Sequence, residues 1–481
     1  MTKISNYFWN NLKAFSAKIA LVDTAIEKSV TYSELEQEAS ELSEKIKLPF
    51  KGLVFLFTTN NAESVITYIA ALKSGNAVLL LDEKLNDEIR NGLIGNYKPD
   101  YIITSGKLIS EIYTNNFKYD SLNFFKRIEE SKSNIYPEVS VLLSTSGTTG
   151  SPKLVKLAYK NIQSNAESIA EYLQIDESEK PITTLPLSYS YGLSIINSHL
   201  FKGSTIVLTN KTVFFRDFWN TFNEFNCTSF AGVPYTYTML KRINFDKIEL
   251  PALKYFTQAG GKLSEEFIKH FADYALQKKI KFYVMYGQTE ATARITYVPP
   301  EKLSSKIGSI GIPIPGGELK IINDEVEINK PNEVGEIFYR GDNVMLGYAE
   351  TSTDLSKGDE LNGTLFTGDL GYKDEDGYFY VTGRMKRFIK IFGLRINLDE
   401  VQKMIENHFK ISAACTGKDE LLKILIHSDD HTAEVNVKNE VLKMYQLSFK
   451  SVVVKSANQI PTNNSGKYDY KKINEMFDFE K

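Results

Sequence analysis

VLLSTSGTTGSPKLV, residues 141–155, runs from an apolar strand straight into Ser144, Thr145, Ser146, Gly147, Thr148, Thr149, Gly150, Ser151, Pro152 and Lys153. Two glycines and consecutive short side chains let backbone N–H groups converge without obstruction by Cβ atoms. The hydroxyls and Lys153 add further donors, one of them charged. A nest of this kind suits phosphate. It is not the familiar P-loop, whose spacing asks for Gly at 152 and Ser or Thr at 154, where this chain has Pro152 and Leu154.

Working outward from that loop, short apolar runs recur at Leu53–Phe57, Ala77–Leu81, Tyr101–Thr104, Thr205–Leu208 and Phe282–Met285, each of buried-strand length. Helix-period stretches lie between several of them, at Ala62–Lys73, Asn161–Gln174 and Glu265–Gln277. The alternation predicts an α/β fold with a large N-terminal domain of one or two layered sheets. After Pro313 the texture changes to alternating short runs punctuated by Gly and Asp, which predicts a small β-rich subdomain over about 313–383 with few helices. The last hundred residues return to mixed α+β patterning: helices at Leu398–Lys410 and Ala433–Tyr445, strands at Leu422–Ile426 and Ser451–Val454. The expected organisation is a core over 1–383, a short joint at 384–387 within GRMKRF, and a small mobile α+β lid over 388–481.

The 481 residues carry 57 Lys and Arg against 60 Asp and Glu, a formal net charge of -3, so no global basic field gathers nucleic acid. Cys227 and Cys415 stand far apart with no C-x-x-C neighbour, which argues against a disulfide framework and points to a reducing cytoplasm. No two glycines are separated by a single residue, so the G-x-G-x-x-G dinucleotide fingerprint cannot occur. There is no G-x-S-x-G elbow, no signal-peptide pattern and no apolar run of spanning length.

The 144–153 loop resembles the phosphate loop of the adenylate-forming superfamily of acyl-CoA synthetases, luciferases and peptide-synthetase adenylation domains. Leu154 departs from the usual glycine at the loop's end. Further motifs of that family follow in order: Ala259-Gly260-Gly261-Lys262, Tyr286-Gly287-Gln288-Thr289-Glu290, Thr367-Gly368-Asp369-Leu370-Gly371, Gly383-Arg384, KIFGLRIN from Lys390 to Asn397, and Pro461 to Lys467. Together they span about two thirds of the chain.

The resemblance implies that ATP and Mg2+ are bound. Thr145, Ser146, Gly147, Thr148, Thr149, Gly150 and Lys153 take the phosphates, Tyr286 and Gly287 meet adenine, and Gly260, Gly261 and Lys262 run along adenine and the acyl pocket. Asp369 accepts the ribose hydroxyls, Arg384 contacts ribose and phosphate, and Glu290 holds the metal. Lys467 and Thr289 stabilise the charge that builds on the α-phosphate. Lys386 matches the position about which the C-terminal domain rotates, and the loop with Lys390 and Gly393 serves thioester formation. Tyr189, in LPLSYSYGLS, falls where relatives have a gate to the acyl tunnel, and Val233 lies in the likely acyl pocket, Gly232 to Tyr237.

The activity so implied joins a carboxylic acid to AMP and then hands the acyl group to a thiol, either coenzyme A or the phosphopantetheine of an acyl carrier protein. The Tyr189 segment lacks the aspartate that amino-acid-activating relatives carry, which favours a non-amino acid. The aromatic, hydroxyl-rich 232–237 segment suits a short or medium acyl chain or a polar aryl acid. Luciferase-like oxidation and a non-catalytic nucleotide sensor are the rival readings; Glu290, Asp369, Arg384 and Lys467 together weigh against the sensor.

Overall fold

The computed structural model describes residues 7–108, 111–129, 134–144, 153–323, 326–384, 387–391, 394–418, 420–445, 447–463 and 468–478. The chain forms two compact units. One comprises residues 1–145, 151–318 and 339–365, and the other takes the rest.

Two large sheets build the first unit. The nine-stranded sheet runs in the order Ile312–Pro313, Thr296–Val298, Lys281–Tyr286, Tyr255–Gln258, Ser229–Gly232, Pro181–Ile182, Ile206–Leu208, Ile19–Asp23 and Lys28–Thr31. Its middle, from Lys281–Tyr286 to Ile19–Asp23, is parallel. An eight-stranded sheet is centred on Val139–Ser144, Ala77–Asp82, Leu53–Thr58 and Tyr101–Thr104, also parallel to one another. Parallel strands covered on both faces read as unbroken apolar runs, and all six residues of Leu53–Thr58 are buried. The helix Ala62–Ser74 begins where Asn61 accepts from the Ser64 N–H and ends at Gly75, whose φ of 81° an L side chain rarely adopts.

The register of the nine-stranded sheet is locked by an aromatic row. Phe230, Phe256 and Phe282 stand opposite one another on adjacent strands, stacked with ring centroids 5.5 and 4.6 Å apart. Cross-strand aromatic pairs of this sort specify pairing, because a one-residue slip would turn each ring to the other face. The row therefore also aligns the carboxyl ends of these three strands.

The second unit holds most of a five-stranded sheet, ordered Val326–Glu327, Glu318–Asn323, Gly335–Arg340, Thr364–Lys373 and Phe379–Arg384. Beyond it lie a ribbon of Phe388–Ile391 against Leu394–Asn397 and a three-stranded sheet of Ala413–Lys418, Leu421–His427 and Val452–Ala457. The last two strands are parallel, and the helix His431–Tyr445 connects them. Val401, Ile405, Ile424, Val437, Val441 and Val454 belong to its core.

The expected α/β core, β-rich segment and α+β end are all present, with most of the named strands and helices within a residue or two of the expected limits. The antiparallel pair Tyr113–Tyr119 and Leu122–Arg127 escaped the sequence reading. Tyr113–Tyr119 lies at the sheet edge with most of its residues partly or fully exposed, so no apolar run marks it. Among the described residues no helix is long and apolar enough to cross a membrane.

Candidate active site

The three strands aligned by the phenylalanine row end together, and each is followed at once by residues singled out from sequence. Val233 follows Ser229–Gly232, Gly260 to Lys262 follow Tyr255–Gln258, and Gly287 to Glu290 follow Lys281–Tyr286. In open parallel sheets this carboxyl edge is where ligands bind. Gly260 has φ of +81°, and a Cβ on it would lie 2.6 Å from the Tyr189 hydroxyl and 3.1 Å from Val233 Cγ1. The glycine thus lets Tyr189, Val233 and the 259–261 backbone converge. Gln258 Nε2 donates to the Gly261 carbonyl at 2.8 Å and steadies this edge, while Lys262 is exposed.

The turn after Tyr286 is held from several directions. A Cβ on Gly287 would come within 1.9 Å of the Ala293 carbonyl oxygen, so only glycine lets the chain fold back there. Asn343, 3% exposed, donates through Nδ2 to the Ala291 and Arg294 carbonyls and accepts from the Tyr339 hydroxyl. The Thr292 hydroxyl donates to the Asn343 carbonyl, closing the clamp. Within this frame the Thr289 and Ser190 hydroxyls lie 3.2 Å apart, and the Tyr348 phenol donates to Glu290 at 2.7 Å. Burial, with the Glu290 carboxylate beside it, pushes the Tyr348 phenol well above its usual range, so it stays a donor. Lys153 pairs with Glu350 and reaches over the Tyr348 ring at 5.7 Å. Gln288 Nε2 donates to the half-buried Tyr286 phenol at 3.1 Å.

The described residues fit a magnesium ion. Glu290 is half-buried, receives one neutral phenol and pairs with no described cation. Among the described residues no cluster of three or more His, Cys, Asp or Glu could cage a metal. One open carboxylate is what magnesium asks of a protein when substrate phosphates and water complete its octahedron.

In the second unit the Asp369 side chain is 4% exposed and accepts from Arg384 Nε at 3.0 Å. The Thr367 hydroxyl accepts from the Asp369 N–H and donates to the Ile337 carbonyl, and Gly368, φ 71°, donates its N–H to Glu336. The Arg384 backbone N–H donates to Asp399. The Lys390 backbone pairs with Arg395 across the ribbon. Thr145, Ser146, Gly147, Thr148, Thr149, Gly150, Lys386, Gly393 and Lys467 lie outside the described residues.

Leu154 stands opposite Ser144 in an antiparallel pair and is wholly buried in a core shared with Leu142, Leu346 and Ala349. The position that is usually glycine is here the first residue of a sheet strand, which explains the departure by packing. Ser190, Asn343 and Tyr348 were missed from sequence. Ser190 is adjacent to Tyr189, whereas Asn343 and Tyr348 come from more than fifty residues downstream and carry no local signal.

The family description "AMP-binding enzyme" matches residues 8–349. The 2-succinylbenzoate–CoA ligase of Bacillus subtilis is 26% identical over 485 residues, 97% of this chain and 97% of that one. Oxalate–CoA ligase of Arabidopsis thaliana is 31% identical over 278 residues, 57% of this chain but only 53% of that protein. The structure of Bacillus subtilis o-succinylbenzoate coenzyme A synthetase with ATP and a magnesium ion superimposes with a TM-score of 0.75 at 22% identity, covering 97% of this chain and 99% of that one.

Proposed function

Since this chain belongs to the AMP-binding enzyme family, we propose that it is an AMP-forming acid–CoA ligase acting on a small carboxylic acid. Near full-length similarity to a CoA ligase supports this reading. The observation that carries it is the carboxyl edge of three aligned strands, where Gly260 meets Tyr189 and Val233, Thr289 meets Ser190, and the Glu290 carboxylate receives only a phenol.

In the first half-reaction the substrate carboxylate attacks the α-phosphorus of ATP, and pyrophosphate leaves. In the second, the coenzyme A thiol attacks the acyl carbonyl and AMP leaves. Glu290 would hold magnesium, which would supply neutralisation of the phosphate charge. Gly260 and Gly261 offer backbone without side-chain obstruction, Tyr189 and Val233 border the acyl group, and the Thr289 hydroxyl, kept in place by Ser190, donates to the α-phosphoryl oxygens. Tyr286 meets the adenine ring with Gly287 behind it, and Lys262 lies at the outer rim. Asp369, its carboxylate oriented by Arg384, accepts the ribose hydroxyls. The loop from Thr145 to Lys153 takes the pyrophosphate, and Lys467 opposes the charge that grows on the α-phosphate.

The test is acid-dependent ATP–pyrophosphate exchange over a panel of aliphatic, aryl and hydroxy acids, with coenzyme A added in a second series. Removing one such donor costs about 100- to 1000-fold. Lys467→Ala is expected to lose that much exchange while still converting supplied acyl-adenylate and coenzyme A to thioester. Equal damage to both steps would overturn the lysine's role, and exchange with no acid of the panel would overturn the ligase reading.

A further inference from the structure

Arg294 lies four residues beyond Glu290, just before the strand Thr296–Val298, and is 3% exposed. No described carboxylate pairs with it. Its guanidinium sits 3.9 Å over the Tyr191 ring, one terminal nitrogen donates to the Ala293 carbonyl at 3.3 Å, and the Tyr172 phenol is a further hydrogen-bond partner. Its Nε has no hydrogen-bond partner. A buried arginine with an orphaned donor and no counter-charge is costly to retain, since neither a ring face nor a carbonyl replaces a desolvated anion.

The guanidinium borders a small cavity, also lined by Tyr191, Ser194, His199, Tyr255 and Thr257, with about 20 Å3 of free space, room for one water molecule. No lining residue is acidic. His199, hydrogen-bonded at Nε2 to Tyr255 and at Nδ1 to the Ile195 carbonyl, is held neutral by burial. Arg294 is therefore the cavity's one charge. The cavity adjoins the acyl end of the carboxyl edge: Tyr189 and Tyr191 contact edge to face with centroids 6.4 Å apart, and Tyr189 is the residue that meets Gly260.

We infer that Arg294 is a specificity-determining residue that receives a second anionic group of the substrate, so that the preferred acid is a short dicarboxylic acid bound with one carboxylate at ATP and the other at this guanidinium. The inference rests on the ligase reading. The small free space beside the guanidinium excludes a second ring. A planar guanidinium whose Nε–H has no partner recognises a carboxylate in a way that a neutral amide cannot copy.

The experiment compares ATP–pyrophosphate exchange driven by malonate, succinate and glutarate with exchange driven by the monoamide of each, for the wild type, Arg294→Lys and Arg294→Gln. The wild type is expected to prefer at least one diacid over its monoamide by about 100-fold in kcat/KM, as for sites whose buried polar groups would otherwise stay unpaired. Arg294→Gln is expected to bring that ratio close to unity by losing the diacid rate, and Arg294→Lys to retain part of it. Thermal melting and ATP binding check that the variants are folded; if Arg294→Gln does not fold, the wild-type ratio decides alone. A wild type that uses monoamides as well as diacids, or a folded Arg294→Gln that keeps the preference, overturns the inference. Exchange driven only by uncharged acids overturns it while the ligase reading stands; exchange driven by no acid overturns both.

Discussion

Arg384 and Arg294 belong to different units and keep opposite company. Arg384, its side chain 60% exposed, binds the buried Asp369 carboxylate at 3.0 Å, and nearby Arg387 pairs with Asp399 at the same distance. Arg294 is buried against a tyrosine ring, and Glu290, four residues earlier in the chain, is met by a phenol in place of a cation. Among the described residues the second unit thus pairs Asp369 and Asp399 with arginines, whereas the first, though it pairs Lys153 with Glu350, leaves the Glu290 carboxylate and the Arg294 guanidinium without an opposite charge. A charge already paired within the protein is oriented and has its partner; a charge held without one marks where a ligand of opposite sign completes the balance.

The sharpest way to break this contrast is Glu290→Gln, which keeps the Tyr348 hydrogen bond and removes the open negative charge. Adenylation is expected to fall about 100- to 1000-fold, with the magnesium concentration for half-maximal exchange moved upward. A variant with normal magnesium dependence would show that Glu290 needs no cation.

A smaller effect concerns the neutrality of the cavity beside Arg294. Burial pushes the His199 imidazole down from 6.5 to about 4. The unfolded chain therefore takes up a proton below pH 6.5 that the folded chain refuses until about pH 4. This contribution to stability is complete above pH 6.5 and is lost as the pH falls through that window. Urea unfolding at pH 7 and pH 5 is expected to show a fall that is roughly 2 kcal/mol greater for the wild type than for His199→Gln. Equal slopes would mean that the folded cavity tolerates a second positive charge.

The mildest change sharpens the other side of the comparison. Asp369→Asn removes the carboxylate that Arg384 orients, and KM for ATP is expected to rise about tenfold with kcat little altered. The wild type should prefer ATP to 2′-deoxy-ATP and the variant should not. An unchanged preference would leave the Asp369–Arg384 pair a structural contact only.

Much of the site was legible because its residues are local. Tyr286 to Glu290 and Ala259 to Lys262 are contiguous motifs at strand ends, and runs such as Leu53–Thr58 announce themselves by uninterrupted apolar character. Leu154 read as an anomaly of the loop until its pairing with Ser144 showed it to be a core residue of a strand. The polar edge strand Tyr113–Tyr119 offered no pattern to read, since an edge facing water needs no apolar run.

By itself the sequence determined the α/β layering, the order of the nucleotide motifs and the identity of the charged groups, because periodicity and short motifs are set by neighbours along the chain. Tertiary structure alone decided which of those charges are neutralised. Asn343 clamps the Glu290 turn, Tyr348 faces Glu290, and Arg294 is enclosed without a carboxylate. Those relations join residues brought together only when parallel strands align their carboxyl ends, and burial, which gives an unpaired charge its cost, does not exist until the core has closed.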